Sequence, residues 1–179
     1  CLVCFTGIIY MINADTVPSL FPLILPVGAI MGFLMYNLGI LGNQRTVFLG
    51  DNGSNALGFM CAWILVYFSS VENSNFAPVT ALWFVAIPFF DAVSVMSSRA
   101  IKGIMPLRSG RDHLHHKLLD AGLSSGAIYI VLIFTSALFA AVGYIFNHGF
   151  PESHYISFYA FMILWLCYYF LTRYISKNV

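Results

Sequence analysis

Long apolar runs broken by short polar turns fill most of the chain. Cys1 to about Ile12 reads as the tail of a spanning helix, too short to cross alone, because a hydrocarbon core of ~30 Å needs about 20 apolar residues. Asn13 to Pro18 forms a polar turn. Leu20 to about Leu41 is the next span, with Pro22 and Pro26 near its start, where a missing amide costs least. The polar loop Gly42–Asn52 leads into a short span at Ser54–Phe68. Ser69–Asn75 is polar again, and Pro78–Met96 forms a further span with a kink expected at Pro88. Ser97–Ser125 is a long polar loop. Gly126–Phe146 and Tyr155–Tyr174 complete the set. The pattern predicts an all-α polytopic membrane bundle with five full transmembrane helices and one partial helix at the N-terminus. A single membrane domain is expected over residues 1–179, with 97–125 as a loop holding a short amphipathic helix. The chain opens at Cys1 inside an apolar run, without the order of regions that marks a signal peptide. It is expected to be the C-terminal part of a larger protein.

Composition narrows the class. Charged residues make up 8% of the chain and hydrophobic ones 60%, whereas a soluble domain carries about 25% charged residues. So few charges cannot cover a water-facing surface. The formal net charge of +1 leaves no basic field for nucleic acid. The placement of charge says more than its sum. All 8 Lys and Arg fall in three places: Arg45; Arg99, Lys102, Arg108, Arg111 and Lys117; and Arg173 with Lys177. The alternate turns hold Asp15, Glu72 and Glu152 instead. The positive-inside rule then puts the basic loops in the cytoplasm. The 4 cysteines lie in apolar runs and read as buried free thiols.

Three places could carry chemistry. In Val47–Gly58, Asp51 sits beside Gly50 and Gly53 where a loop becomes a helix. The glycines allow unusual backbone angles and close approach of a ligand. The helix start favours anions, so a carboxylate there could hold Mg²⁺ against a phosphate. Alternatively Asp51 or Ser54 is an N-cap. Asp91 lies within a span, where an acid is costly; it either reaches a site at the membrane rim or pairs with Arg99 or Arg45. The third place is Gly103–Gly122, with three of the 5 histidines. Asp112 can cap a short helix ending at Gly122. On that helix His113, His116 and Asp120 share one face, and Leu114, Leu118 and Ala121 another. Arg108 and Arg111 precede it, and arginine forks bind phosphate bidentately. His113, His115 and His116 form a poor zinc set, lacking cysteine and a nearby glutamate. A basic anchor for anionic lipid accounts for the arginines and lysines, but not for three histidines within four residues.

Taken in order, these residues resemble the polyprenyl-phosphate N-acetylhexosamine-1-phosphate transferase family. The resemblance is carried by Val47-Phe48-Leu49-Gly50-Asp51-Asn52-Gly53-Ser54, then Asp91, then Arg99, Lys102, Gly103 and Pro106, then Asp112-His113-Leu114-His115-His116. With Asn37-Leu38-Gly39-Ile40-Leu41-Gly42, the His-x-His-His form is similar to the bacterial branch that loads N-acetylglucosamine-1-phosphate onto undecaprenyl phosphate. The resemblance implies a Mg²⁺-dependent enzyme, with Mn²⁺ as a substitute, acting on a UDP-sugar and undecaprenyl phosphate in the bacterial inner membrane. It implies that Asp51 is a metal ligand and that His113, His115 and His116 are catalytic. It implies substrate contacts from Asn37, Asp91, Arg99, Arg108 and Arg111, and from Phe48 stacking on uracil. It leaves room for a homodimer, and for related donors such as another UDP-N-acetylhexosamine or UDP-MurNAc-pentapeptide. An Asp-Asp pair and an Asn/Asp-Gly loop of the family pattern would precede Cys1, so the 179 residues alone are expected to be inactive. A transporter fragment using Asp91 as a relay is the competing class. It would place polar groups at mid-membrane, whereas here they gather at the rim.

Overall fold

The structure is a computed structural model that describes residues 21–37, 47–70, 76–106, 110, 112–150, 152 and 154–178. These residues are helical, with no strand among them. The helices are α1 (Phe21–Asn37), α2 (Gly50–Ser70), α3 (Pro78–Phe84), α4 (Ala86–Ile101), α5 (Leu114–Asp120), α6 (Ser125–Gly149) and α7 (His154–Asn178). The chain divides into two compact units, Cys1–Ala81 and Leu82–Val179.

In the first unit α1 is apolar throughout, with Pro26 inside it. Helix α2 buries Cys61, Ile64, Leu65 and Phe68, which recur at the spacing of one helical face. Gly50 opens α2 at a φ of 68°, a left-handed angle that glycine adopts without a Cβ penalty. The expected fragment of span at Cys1–Ile12 lies outside the described residues, as do Asp15, Arg45 and Glu72.

In the second unit α4, α6 and α7 pack together, and α5 lies against α6 and α7. Trp83, Ala86, Phe90 and Phe161 form the core. The Trp83 ring stacks near Phe146 at 5.6 Å and meets Phe161 edge-on at 5.4 Å. Its indole N–H donates to Ser157 Oγ at 2.9 Å, so a buried polar atom is satisfied inside an apolar layer. Helix α6 turns Ala140, Gly143 and Asn147 inward, the small and polar residues that let membrane helices approach. Its Ile130, Ile133 and Phe134 are exposed, as a lipid-facing surface requires.

The sharp bend expected at Pro88 falls at Val85 instead, between α3 and α4. Pro88 cannot donate to the Phe84 carbonyl and its ring crowds that carbonyl, so the break opens one turn upstream. Among the described residues, two helical stretches, Ser125–Gly149 and His154–Ile175, are long and apolar enough to cross a membrane, or three if α3 and α4 form one broken span. The five full spans expected run over the whole chain, including residues outside those described. Helix α2 spans 21 residues, but Asp51, Asn52, Ser54 and Asn55 fill its first turns. The long polar loop also starts later than expected, because α4 continues through Arg99 to Ile101. Cys167 is exposed on α7 rather than buried.

Both helices that bound this loop region end in the same way. Gly103 has φ 69° and Gly122 φ 90°. Ile104 N–H donates to Arg99 O at 2.9 Å and Gly103 N–H to Ala100 O at 3.1 Å. Leu123 N–H donates to Leu118 O at 3.1 Å and Gly122 N–H to Leu119 O at 2.9 Å. These are two Schellman terminations, each stopping a helix on a left-handed glycine. The C-terminal ends of α4 and α7 border one cleft, through Arg99 and Lys102 on one side and Thr172 and Arg173 on the other. The basic loop and basic tail thus meet at one end of the unit, as the charge alternation requires.

A Cβ on Gly143 would lie 2.5 Å from Trp83 Cβ, too near the backbone for a rotamer change to relieve. Gly143→Val should therefore lower stability by about 1–3 kcal/mol, read as a drop in the unfolding midpoint in detergent. Gly149→Ala, where nothing lies within 4 Å, should be close to neutral.

Candidate functional site

Asp91 sits on α4 with its side chain 17% exposed. Its Oδ2 lies 2.8 Å from His113 Nδ1. Its Oδ1 accepts from the Leu114 backbone N–H at 2.9 Å and from the Tyr168 hydroxyl at 3.2 Å. A carboxylate only accepts, so the proton of this imidazole sits on Nδ1 and Nε2 is left for a ligand. The Leu114 contact makes Asp91 the cap of α5, and its charge also faces the positive end of the helix dipole. Asp112 was expected to cap this helix. The N-cap position is held by His113, without a side-chain cap of its own.

Asp112 turns to Arg99 instead. Arg99 donates from Nε at 2.9 Å and from Nη2 at 2.7 Å to Asp112 Oδ2, and from Nη1 to the Pro106 carbonyl at 3.3 Å. The Arg99 side chain is only 9% exposed. Gly110 lies so near the guanidinium that a Cβ there would collide with Nη2. The hydrogen bonds and charge of Arg99 hold the Asp112 carboxyl below the usual carboxylate range, against a smaller opposing effect of burial. Arg99 thus fastens both Pro106 and Asp112, and Asp91 fastens His113 and Leu114. Of the two partners considered for Asp91, Arg99 does not pair with it, and Arg45 lies outside the described residues. Arg108 and Arg111 lie outside the described residues.

The three imidazoles lie side by side. His113 and His115 stack with centroids 6.1 Å apart and planes 9° from parallel, and His115 meets His116 at 4.1 Å. Desolvation, followed by repulsion from His116 and His113, pushes the His115 imidazole below its ordinary range, although Asp91 pulls the other way. His116 Nδ1 is buried and makes no hydrogen bond among the described residues. A row of ring nitrogens at one loop can donate to phosphate oxygens or pass protons. Among the described residues, no three His, Cys, Asp or Glu side chains are grouped to hold a metal.

In the first unit, Asp51 is exposed in the first turn of α2. It does not cap the helix, and the Ser54 hydroxyl donates to the Asp51 carbonyl at 3.0 Å rather than accepting from an amide. Among the described residues the Asp51 carboxylate makes no hydrogen bond or ion pair, leaving a hard oxygen donor at the positive end of a helix. Gly53 is helical, and the Leu49 side chain occupies the place where its Cβ would be. Phe48 is 92% exposed, a free aromatic face one turn before Asp51. Asn37 closes α1 and donates to the Phe33 carbonyl at 3.2 Å. Tyr168 was missed by the sequence reading, because nothing in an apolar span marks it apart from Tyr169 beside it.

Asp91→Ala should raise the exchange rate of the Leu114 amide about tenfold or more, since the cap is worth about 1–3 kcal/mol; Tyr168→Phe should change it less. The lowered His115 value also fixes a pH trend. The folded chain binds a proton at His115 less readily than the unfolded chain, whose value is near 6.5. Stability is therefore present above that value and falls as pH drops below it. Protection factors across α5 should decline between about pH 6.5 and 5, and His115→Asn should flatten this decline.

The Glycosyl transferase family 4 model matches residues 1–69. The undecaprenyl-phosphate alpha-N-acetylglucosaminyl 1-phosphate transferase of Escherichia coli (strain K12) is 36% identical over 152 residues, which cover 85% of this chain and 40% of that protein. The protein of the same name from Pasteurella multocida (strain Pm70) is 38% identical over 147 residues, covering 81% and 41%. That from Yersinia pestis is 37% identical over 119 residues, covering 66% and 33%. The chain spans about 40% of the length of the first two of these curated relatives. No solved structure matches. The chain is thus similar to glycosyl transferase family 4 over residues 1–69, and over most of its length to the undecaprenyl-phosphate alpha-N-acetylglucosaminyl 1-phosphate transferases.

Proposed function

We propose that the full-length protein transfers N-acetylglucosamine-1-phosphate from UDP-GlcNAc to undecaprenyl phosphate, feeding cell-surface polysaccharide such as lipopolysaccharide O-antigen. The reading places the protein in the bacterial inner membrane with five full spans and one partial, and with loop 97–125 and Asp51 on the cytoplasmic side. A phosphate oxygen of the carrier attacks the β-phosphorus. The bond from that phosphorus to the bridging oxygen breaks, and UMP leaves with the electron pair. Lipid-linked sugar diphosphate is the other product. Such a reaction needs charge neutralisation and in-line positioning more than a strong nucleophile.

Asp51 is the residue that would hold Mg²⁺, and its exposed, unengaged carboxylate fits an ion bound by one or two carboxylates plus substrate phosphates. Bound there, the ion supplies charge neutralisation at the pyrophosphate. Phe48 presents its open ring to the uracil. Arg108 and Arg111 donate to the pyrophosphate oxygens, as do the imidazoles when both ring nitrogens carry protons. Asp91 serves as a positioning residue: it holds the ring of His113 at Nδ1 and leaves Nε2 unused by Asp91. Arg99 positions in the same sense, by holding Asp112 next to that histidine. The observation that carries the reading is the His113 ring held by Asp91 at Nδ1, in a chain 36% identical over 152 residues to transferases of this activity.

The test is UMP release from UDP-GlcNAc by the full-length protein with undecaprenyl phosphate. Activity should vanish on chelation and return with Mg²⁺. His113→Ala should lose about 100-fold or more, and Asp51→Asn should lose more than that. Full turnover by His113→Ala, or turnover without a divalent ion, would sink the proposal.

A further inference from the structure

The end of the second unit holds a cleft of about 100 Å³ between the last turns of α4 and α7, closed on one side by α5. That is roughly the volume of three waters at ~30 Å³ each, enough for a tetrahedral anion. Neither Asp91 nor any of the three loop histidines lines it. Its one acid among the described residues is Asp112, already engaged by Arg99. Lys102, Lys117 and Arg173 therefore face the cleft with no carboxylate within salt-bridge distance among the described residues. They come from three different helices or helix ends, so local sequence alone does not explain their convergence.

A second observation comes from the hydroxyls in the wall. Ser94 is 5% exposed and its Oγ makes no hydrogen bond among the described residues, and the same holds for the buried Tyr169 hydroxyl oxygen. Leaving such groups unsatisfied costs about 1–3 kcal/mol each. Both residues line the cleft, and both hydroxyls can donate. Arg173 lies over the Tyr169 ring at 5.4 Å, and both residues line the cleft. Three cations and two hydroxyl donors without partners among the described residues together form the donor set of an oxyanion site.

We propose that this cleft binds a phosphate group, at a place separate from the histidine face of the loop. Burial lowers the Lys117 ammonium from its ordinary range, and an anion in the cleft would offset that burial. A cleft at the end of membrane-spanning helices is within reach of two sources of this chemistry, the headgroup of an anionic phospholipid and free phosphate. The proposal does not depend on the transferase reading, because binding rather than turnover is measured.

The unfolding midpoint of the full-length protein in neutral detergent is followed against inorganic phosphate, with chloride at equal ionic strength as control. A parallel series compares nanodiscs of phosphatidylcholine with nanodiscs containing phosphatidylglycerol. The expected result is a saturable rise of about 3 °C or more. A rise with inorganic phosphate identifies free phosphate as a ligand. A rise with phosphatidylglycerol alone identifies the lipid headgroup. The double variant Lys102→Gln/Arg173→Gln, which changes two exposed side chains, should weaken the apparent affinity at least about tenfold. Ser94→Ala should weaken it less, and Asp51→Asn should leave it unchanged. No rise in either series, or an equal rise in the double variant, overturns the proposal.

Discussion

A carboxylate on a membrane helix has to find donors, and the arrangement of the loop region follows from how Asp91 finds them. Water is scarce at such a position, and an unpaired acid there is expensive. Asp91 takes one donor from the ring of His113, one from the backbone of Leu114 and one from Tyr168 of α7. Each bond fixes something different: the tautomer of an imidazole, the first turn of α5, and the approach of α7. A single half-buried carboxylate thereby specifies a side chain, a helix start and a helix contact.

Arg99 applies the same logic with the opposite sign. Its guanidinium is largely buried, and its fork is spent on Asp112 and the Pro106 carbonyl. The two charged residues of α4 are eight positions apart, about 12 Å along the helix axis, and each satisfies its own charge with atoms of the loop. Buried charges that are paired inside the protein make poor ligands. They make good scaffolding, because breaking either pair would leave a desolvated charge.

Much of this was legible in the sequence. The apolar runs and the alternation of basic and acidic turns place the loop and the tail at one end, and Gly122 marks the end of α5. The motif from Phe48 to Ser54 and the histidine cluster carry the resemblance to the transferases. What could not be read was partnership. Asp112 satisfies the rule for a carboxylate near a helix start, whereas Asp91 lies inside the preceding span, and only tertiary distance assigns the cap to it. Pro88 signals a break, yet the steric conflict lies with the Phe84 carbonyl, so the bend opens at Val85. The loop boundary moved because Arg99 and Lys102 look like loop residues by charge, whereas Arg99 is an inward-facing helical residue.

The two Arg99 contacts at Pro106 and Asp112 bear on how such a loop can change over time. His113 is located by α4 through Asp91, and the chain on either side of residues 107–111 is tied to Arg99. Its address is written on a helix rather than counted along the connecting chain. Apart from Gly110, which has no room for a Cβ beside the Arg99 guanidinium, changes of sequence between the ties need not move that imidazole.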